Sequence, residues 1–274
     1  MEVSIIIVNW NGGSFLRDCL ESIYRTSLDV GFEAILVDNN SSDGSPDTVR
    51  ETFPQVELVR NTKNLGFARA ANQGIERSKG AYILLLNPDI RVEPNSLRRM
   101  VDFLDQRPEV GAVGGKLVGP DKRGEARRYY NRFPTVGQVL LNYTALGKIL
   151  SRFTRTRFDL ESAGQVDQPP GGCILLRRRA LADVGSFDED FFLWFEDVDL
   201  CYRLKQAGWK IYYLPVAQFI HYGGKSIELL TKGEGERLFF ASMFRYLEKH
   251  LGRRGVLFSR WVLALDLILK MSLG

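Results

Sequence analysis

The residue types best suited to acid–base chemistry lie close together in the last third of the chain. Glu196, Asp197 and Asp199 directly follow the aromatic run FFLWF at 191–195. Their spacing predicts a helix that begins at Glu196 and ends at Gly208, a residue suited to a helix C-terminus. The dipole of such a helix stabilises carboxylates in its first turn, and the aromatic side chains exclude water. A carboxylate held in this way can act as a general base toward a hydroxyl group.

Ordinary structural roles are also open to these acids. Asp199 and Arg203 are four residues apart, which is the spacing of a salt bridge along a helix. Glu196 has the position of an N-cap or a first-turn charge. Three acids within four positions nevertheless exceed what capping requires, so the sequence favours a catalytic use.

A second set of polar residues follows three apolar runs in the first half of the chain. Asn9, Asp38 and the triplet NPD at 87–89 each stand where an apolar run stops. Because ligands of open α/β sheets bind outside the carboxyl ends of the strands, these residues are candidates for one site. The polar turn at 38–45 can contact a ribose or a base, and it is also typical of an Asx turn that caps the next helix.

Asp89 and His221 are candidates for binding a metal ion. An unpaired carboxylate at the end of a buried strand is costly, and a divalent cation that joins it to phosphate oxygens would compensate. Hard oxygen ligands suit magnesium or manganese. His221 ends an apolar run before two glycines and is a candidate ligand. Asp89 as a helix cap and His221 as a hydrogen-bonded strand-end residue remain alternatives.

The segment at 63–72 contains a predicted helix start with a glycine. Gly66 permits a close backbone approach there, and N–H groups at a helix N-terminus favour anions. The basic side chain of Lys63 or Arg69 is a candidate for contacting a diphosphate. The sequence has neither a GxGxxG motif nor a Walker A loop, so the classical dinucleotide-binding and P-loop classes receive no support.

Apolar runs and amphipathic segments alternate in the order of an α/β protein. Strands are predicted at 3–8, 34–37, 56–59, 81–86 and 172–177, and helices around 16–23, at 67–75, from Pro94 through 104, and at 196–207. This alternation predicts a largely parallel sheet covered on both faces. The basic and aromatic stretch at 120–170 is interpreted either as a solvated insertion or as a lid that faces substrate or membrane.

Taken together, these motifs resemble the family 2 glycosyltransferases, especially their bacterial rhamnosyltransferase-like branch. The matching segments occur in order: VNWNG at 8–12, VDNNSSDG at 37–44, NLGFA at 64–68, LNPD at 86–89, GSFDE at 185–189 and EDVDL at 196–200. The resemblance runs from about residue 3 to residue 226. Most of 120–170 and the C-terminal residues are poorly covered by the resemblance.

The resemblance implies an α/β protein with the GT-A fold. The expected architecture is a three-layer α/β/α sandwich around a mixed, mainly parallel sheet. Residues 1–226 would form the glycosyltransferase domain, with a nucleotide-sugar-binding half at 1–118 and an acceptor half at 119–226 that includes the insertion at 120–170. Residues 227–274 would form a C-terminal helical extension.

The resemblance also implies roles for individual residues. Asp38 would hold the nucleoside, and Asp89 and His221 would bind Mn²⁺ or Mg²⁺. Asp197 would be the catalytic base, with Glu196 orienting it or touching the acceptor. The residues expected to bind the nucleotide-sugar are Asn9, Asn11, Asp38, Asn40, Lys63, Gly66, Asn72, Asn87 and Asp89.

The expected metal site departs from the family pattern. Many relatives have two carboxylates in a DxD-type triplet, whereas this chain has Asn87 and a single carboxylate, Asp89. Weaker metal binding, or only partial dependence on a cation, is therefore expected.

The implied activity is the inverting transfer of a sugar from a nucleotide-sugar to an acceptor hydroxyl. dTDP-L-rhamnose is the expected donor, and a glycan or polyprenyl-linked molecule of cell-surface polysaccharide assembly is the expected acceptor. A UDP-hexose or GDP-mannose donor stays open as an alternative. A further open alternative is that the chain is a catalytically silent module that binds sugar nucleotides or glycans.

Composition places the chain among ordinary globular proteins. Of its 274 residues, 45% are hydrophobic, 26% charged and 11% aromatic, which excludes collagen-like, low-complexity and disordered classes. The net charge of +4 fits an anionic ligand or a membrane surface and is too small to indicate a nucleic-acid partner. Three separated cysteines, no signal-peptide pattern and no run of about 18 apolar residues predict a cytoplasmic protein.

The C-terminal residues 252–271 combine apolar side chains with arginines and a lysine. A helix of this composition is typical of a membrane interface. Such a helix would bring the protein to the cytoplasmic face of the inner membrane. Packing against the core and a homodimer contact are the alternatives.

Overall fold

The central strands form because β-branched and leucine-rich runs can bury both faces of a sheet. The computed structural model describes residues 2–27, 29–121, 132–137, 139, 144, 161–169, 171–223 and 227–262. Within these ranges the strands are β1 (Val3–Asn9), β2 (Phe32–Asp38), β3 (Glu57–Arg60), β4 (Tyr82–Leu86), β5 (Ile90–Val92), β6 (Val110–Val118), β7 (Gly164–Gln165), β8 (Cys173–Arg177) and β9 (Lys210–His221).

These strands form one mixed sheet in which the two longest pairings, β6 with β9 and β1 with β2, are parallel. The strand order is β3-β2-β1-β4-β8-β6-β9-β5, and β7 pairs with β9 outside this path. Strands β1 to β4 run parallel to one another, as do β6 and β9, whereas β8 is antiparallel to β4 and β6. Because β1, β2 and β4 are parallel neighbours, their carboxyl ends lie side by side at one edge of the sheet.

Helices cover both faces of this sheet. Among the helices of the described ranges are α1 (Gly13–Thr26), α2 (Ser45–Thr52), α3 (Phe67–Arg77), α4 (Ser96–Asp105), α5 (Arg178–Val184), α6 (Glu196–Gln206) and α7 (Lys232–Leu251). Since successive strand residues point to opposite faces, Ile5 and Ile7 of β1 pack with α1, α2 and α4, whereas Ile6 packs with α3, α5 and α6. The predicted three-layer α/β/α architecture is confirmed.

The C-terminal helix α7 packs on the aromatic segment that precedes α6. The two share a buried cluster that includes Phe195, Val198, Met243 and Tyr246. Beyond α7, residues 253–262 are also helical. In the part of the chain that the structure describes, no helix is both long and apolar enough to cross a bilayer.

Most predicted elements are present, with ends that differ by a few residues. The helix predicted from Pro94 begins two residues later, after Asn95, whose backbone is left-handed (φ +62°). Helix α6 ends two residues before Gly208, whose φ of +88° suits a helix terminus. The sequence pattern does not predict β5, β6 and β7, and of β9 it predicts only the end at His221. Most of 120–170 and residues 263–271 lie outside the described residues, and the predicted domain bounds stay predictions.

Candidate active site

Asn9 ties the carboxyl ends of β1 and β2 together. It lies opposite Asp38 in the parallel register of the two strands. Its Nδ2 donates to Asp38 Oδ1 (3.0 Å) and is 3.0 Å from both Ser41 Oγ and Ser45 Oγ. Its Oδ1 accepts from the N–H of Gly12 (3.1 Å). The side chain is fully buried, so these contacts fix the strand ends, and a part of Asn9 in nucleotide-sugar binding stays a prediction.

The Asp38 carboxylate is held by the turn that follows it. Its Oδ1 accepts from Ser41 Oγ (2.6 Å) and its Oδ2 accepts from the Ser41 N–H (3.1 Å). The Asx-turn alternative is therefore present, and the contact between Asp38 and a nucleoside stays a prediction. Asn11 similarly accepts from the N–H of Ser42 (2.8 Å), whereas Asn40 is exposed.

A cleft of about 720 Å³, including the part open to solvent, lies at this edge of the sheet. Its polar side chains come from the ends of β2 and β4 and from the loop before α3, and are Asn39, Asn64, Asn87 and Asp89. Its larger apolar side chains are Trp10, Phe67, Phe192, Leu193 and Leu230. The structure thus brings the predicted residues Gly66, Asn87 and Asp89 together. It adds Leu230 from the predicted C-terminal extension.

Gly66 allows close contact with the backbone of Phe192. Its φ is +85°, and a Cβ at this position would lie 2.6 Å from Phe192 O. The N–H of Phe67 donates to the same carbonyl oxygen (2.7 Å). The helix start was expected to offer its N–H groups to an anion. The N–H of Phe67 is one of these groups, and it already donates to a carbonyl of the same chain. Lys63 is exposed in the preceding loop, and its contact with a diphosphate stays a prediction.

Asn72 holds the loop that follows α5, and its expected part in the nucleotide-sugar site stays a prediction. Its Nδ2 donates to the carbonyl of Phe187 (2.9 Å), and its Oδ1 accepts from the N–H of Phe187 (3.0 Å). The side chain is buried and does not line the cleft. Because both ends of the amide are engaged, Asn72 serves to fix α3 against the segment that leads to α6.

Asp89 lines the cleft and faces His221. The imidazole Nε2 lies 3.4 Å from Asp89 Oδ2, and the N–H of Tyr222 donates to the Asp89 carbonyl (3.0 Å). Both ring nitrogens of His221 are buried without a hydrogen-bond partner in the described part of the chain. A carboxylate beside an imidazole with open nitrogens fits a divalent cation that also takes phosphate oxygens.

Any such ion would have few protein ligands. Across the described ranges, no group of three or more His, Cys, Asp or Glu side chains could hold a metal. Asp89 and His221 would therefore supply two ligands, and oxygens of a bound diphosphate or water would complete the shell. The expectation that Asn87 in place of a second carboxylate weakens metal binding stays a prediction.

Two consecutive left-handed residues lead into α6. Trp194 (φ +66°) and Phe195 (φ +68°) adopt a conformation that costs bulky residues about 1–3 kcal/mol each. Both rings pack edge-on against Phe239 of α7, with centroid separations of 5.8 and 5.4 Å. Tertiary packing thus stabilises a turn that the local sequence does not favour, and this turn places Glu196 at the first position of the helix.

Glu196 and Asp197 are adjacent carboxylates with different surroundings. Glu196 is buried, and its Oε2 has no hydrogen-bond partner among the residues described. Burial, and then the neighbouring charge of Asp197, raise the pKa of Glu196 well above its ordinary value. Burial also raises the pKa of Asp197, but the N–H groups of Val198 and Gly171 donate to its carboxylate and oppose that rise. Asp197 is therefore the member of the pair whose ionised form is stabilised and so available to accept a proton.

A glycine pair connects Asp197 to the cleft. A Cβ at Gly171 would lie 2.1 Å from Asp197 Oδ2, and a Cβ at Gly172 would lie 2.9 Å from Asn87 Nδ2. The N–H of Asn87 also donates to Gly172 O (2.9 Å). Asp197 and the cleft residue Asn87 thus contact successive residues of one segment. The sequence interpretation misses this pair, although the run PPGG at 169–172 before an apolar strand signals a close backbone approach.

The order of these elements agrees with one known family. The chain matches the family model of glycosyl transferase family 2 over residues 4–185, a range that runs from β1 to the end of α5. The chain belongs to glycosyl transferase family 2. The family resemblance expected from the motifs is confirmed.

Two relatives of this family 2 chain agree with a rhamnosyltransferase-like branch. This chain is 29% identical over 238 residues to an N-acetylglucosaminyl-diphospho-decaprenol L-rhamnosyltransferase of Mycobacterium tuberculosis. The match covers 81% of this chain and 76% of that protein. The chain is 30% identical over 239 residues to an O-antigen biosynthesis protein of Myxococcus xanthus, covering 82% of this chain and 18% of that protein. The second match therefore concerns only a segment of a longer protein.

A solved structure confirms the GT-A fold of this family 2 chain. A mannosyltransferase of Pyrobaculum calidifontis, in complex with GDP-Man and Mn²⁺, superposes with a TM-score of 0.63 at 18% identity. The superposition covers 100% of this chain and 76% of that one. At this level of identity the likeness concerns the fold alone.

Proposed function

We propose that this family 2 chain is an inverting glycosyltransferase in which Asp197 is the catalytic base. The supporting observation is that Asp197 contacts Gly171, while the next residue, Gly172, contacts Asn87 in the cleft. Asp197 accepts the proton of an acceptor hydroxyl while that oxygen attacks the anomeric carbon of the donor. The bond to the diphosphate breaks on the opposite face, so the configuration at that carbon inverts.

In this proposal Asp89 and His221 are the residues that would hold Mn²⁺ or Mg²⁺. When bound there, such an ion supplies charge neutralisation for the leaving diphosphate. The buried ring nitrogens of His221, which have no hydrogen-bond partner in the described ranges, support the assignment.

Glu196 has a separate role in the proposed site. Its raised pKa favours the neutral acid, which can donate a hydrogen bond. A neutral Glu196 next to Asp197 lets the base carry the only charge of the pair, and the acid proton can orient the acceptor or the Asp197 carboxylate. This division of roles follows from the different surroundings of the two side chains.

Asp197→Asn tests the proposed activity. The amide has nearly the same shape but does not take up the proton, so turnover should fall by about 10²- to 10⁴-fold, while nucleotide binding is retained. Asp183→Asn is the matched control, because Asp183 lies exposed on α5 and its carboxylate accepts a hydrogen bond from Trp209 Nε1 (3.1 Å), which an amide oxygen can also accept. Near-normal turnover of Asp197→Asn would contradict the assignment. Nucleotide binding by the wild type without transfer to any acceptor would favour the silent binding module.

We propose dTDP-L-rhamnose as the donor and a glycan or polyprenyl-linked molecule of cell-surface polysaccharide assembly as the acceptor. The names of the mycobacterial and Myxococcus relatives support this choice. A GDP-mannose or UDP-hexose donor remains the alternative, and the solved complex with GDP-Man is the observation that favours keeping it.

Thermal unfolding in the presence of dTDP, UDP, GDP and ADP, with and without Mn²⁺, distinguishes these donors. A ligand at about 100 times its Kd stabilises the folded chain by about 2.7 kcal/mol. A shift selective for dTDP supports the proposed donor. A shift selective for UDP or GDP contradicts it and leaves the glycosyltransferase assignment in place.

We further propose that the helical segment 253–262 contacts an anionic membrane surface at the cytoplasmic face of the inner membrane. Leu257, Phe258 and Trp261 are 66%, 51% and 64% exposed, and Arg253 is exposed beside them. Exposed apolar and basic side chains on one short helix are the pattern of an interfacial helix. A polyprenyl-linked acceptor would make such attachment useful.

Co-sedimentation with phosphatidylglycerol vesicles tests the membrane contact. The double variant Leu257→Ser with Trp261→Ala should bind less than the wild type. Val216→Ser is the control, because Val216 is 51% exposed on β9. Unchanged vesicle binding by the double variant contradicts the proposal. Loss of a concentration-dependent dimer in that variant would instead assign this face to a homodimer.

A further inference from the structure

Asp199 is a buried carboxylate of α6 that the proposed chemistry does not use. It is fully buried, and its predicted salt bridge with Arg203 is present, with 2.8 Å between Oδ2 and Nε. Its other oxygen, Oδ1, lies 2.7 Å from His250 Nε2 and 2.7 Å from Lys249 Nζ. An acid two positions from Asp197 is thus joined to the C-terminal helix α7.

The same face of α7 also holds the loop that leads into α6. Three polar contacts join them, namely Lys249 with Asp188 (2.7 Å), Arg245 with Asp190, and Ser242 Oγ with the Leu193 carbonyl (2.8 Å). At the start of this loop, the Arg203 guanidinium donates to the carbonyls of Val184, Gly185 and Ser186. Arg203 also pairs with Asp199, which in turn contacts Lys249 of α7. Asp199 is therefore connected to the start of the loop through Arg203 and to the end of the loop through α7.

This loop needs such support because it ends in the left-handed pair Trp194 and Phe195. Residues in that conformation persist only where their surroundings determine it. Asp197 lies on the first turn of α6, between this pair and Asp199. The orientation of His250 is itself fixed, since its ring is buried and packs on Tyr202 with 4.2 Å between centroids.

We infer that Asp199 and His250 are positioning residues: through their hydrogen bond, α7 fixes the first turn of α6 and thereby the place of the Asp197 carboxylate against Gly171. The inference rests on the proposed function, in which Asp197 is the base. A reacting group displaced by about 1 Å can lose about a hundredfold in rate. None of the described residues that line the cleft belongs to α7, so donor binding and base positioning are separable.

His250→Ala is the variant to test, because Asp199 keeps Arg203 and Lys249 as partners and is not left as an unpaired buried charge. We expect kcat to fall by about ten- to a hundredfold, while KM for the nucleotide-sugar stays within about twofold. His250→Gln retains a donor for Asp199 and should recover most of kcat. Glu248→Ala, also on α7, is the control, because it removes an exposed ion pair with Arg253 of the following segment (2.9 Å).

Hydrogen exchange supplies a readout that does not depend on activity. Amides of residues 192–199 should exchange faster in His250→Ala than in the wild type or in Glu248→Ala, while amides of β1 and β4 exchange as before. Wild-type kcat in His250→Ala, unchanged exchange at 192–199, or no recovery in His250→Gln would each overturn the inference.

Asp197→Asn is assayed in parallel so that the two proposals can fail separately. If Asp197→Asn retains turnover, the proposed function is wrong. If Asp197→Asn loses turnover and His250→Ala does not, the base assignment stands and only the positioning inference is wrong.

Discussion

The Nε2 atom of His221 lies 3.4 Å from Oδ2 of Asp89, although the two residues follow different strands of the sheet. Asp89 stands between β4 and β5, and His221 is the last residue of β9. Antiparallel pairing of β5 with β9 places Ile90 opposite His221 and so brings the two side chains together. The pairing therefore places the end of the antiparallel edge strand next to Asp89, which lines the cleft.

His221→Ala should remove the metal-dependent part of nucleotide binding. In the wild type we expect Mn²⁺ to increase the thermal shift caused by a nucleoside diphosphate, because the ion would join Asp89 and His221 to the diphosphate oxygens. A tenfold gain in nucleotide affinity corresponds to about 1.4 kcal/mol of binding free energy. His250→Ala is the control histidine, since its contacts are with α6. A response to Mn²⁺ that persists unchanged in His221→Ala contradicts the metal assignment.

Glu196→Gln should stabilise the folded chain at neutral and alkaline pH. The folded-state pKa of Glu196 is raised by burial and by Asp197, so the folded chain holds this proton more tightly than the unfolded chain does. The stabilisation is complete below the unfolded pKa and is lost as the pH rises through the folded pKa. The variant should match the wild type near pH 4 and exceed it near pH 8, by about 1.4 kcal/mol for each pH unit between the two pKa values.

Guanidinium unfolding of both proteins at the two pH values measures this difference. Glu248→Gln, at a half-exposed position on α7, should show no such pH dependence. Lower stability of Glu196→Gln at the higher pH would indicate that the buried carboxylate is ionised and paired, and would remove the basis for a neutral Glu196.

The positions of the strand-end residues could be predicted because the rules behind them are local. Asn9, Asp38 and Asp89 each follow an apolar run, and parallel pairing of β1 with β2 and β4 gathers those run ends at one edge. Which of these side chains faces a ligand is not a local property. Asn9 is engaged by Asp38 and its turn, and Asn72 is engaged by Phe187, 115 residues further along the chain.

The roles of Gly171 and His250 could not be read from spacing. A glycine before a strand is common, and only the position of its missing Cβ relative to Asp197 reveals why a side chain is excluded. His250 is 51 residues from Asp199, on a helix whose docking depends on a cluster of aromatic side chains. Such contacts follow from tertiary packing, which the periodicity of either helix alone does not specify.

Gly66→Ala should destabilise the chain more than Gly44→Ala does. Both glycines have positive φ, which costs an alanine about 1–2 kcal/mol at Gly44, where φ is +78° and ψ is −2°. The backbone penalty is larger at Gly66, where φ is +85° and ψ is 169°, a conformation essentially restricted to glycine. At Gly66 the new Cβ would also lie 2.6 Å from the carbonyl oxygen of Phe192, whereas nothing lies within 4 Å at Gly44. Urea unfolding should therefore show an additional loss of about 1 kcal/mol or more for Gly66→Ala. Equal losses would mean that the Phe192 contact does not require the glycine.

Gly171→Ala should impair transfer without impairing donor binding. The added Cβ would lie 2.1 Å from Asp197 Oδ2, so the carboxylate must move, and a displacement of about 1 Å can lower kcat about a hundredfold. Gly164→Ala is the matched control, because Gly164 is a strand glycine with open space around it. Steady-state kinetics measure kcat, and nucleotide-induced thermal shifts measure donor binding. If Gly171→Ala kept the wild-type kcat while Asp197→Asn lost it, transfer would need the Asp197 carboxylate but not its placement against this glycine, and the acceptor would have to approach the base from another side.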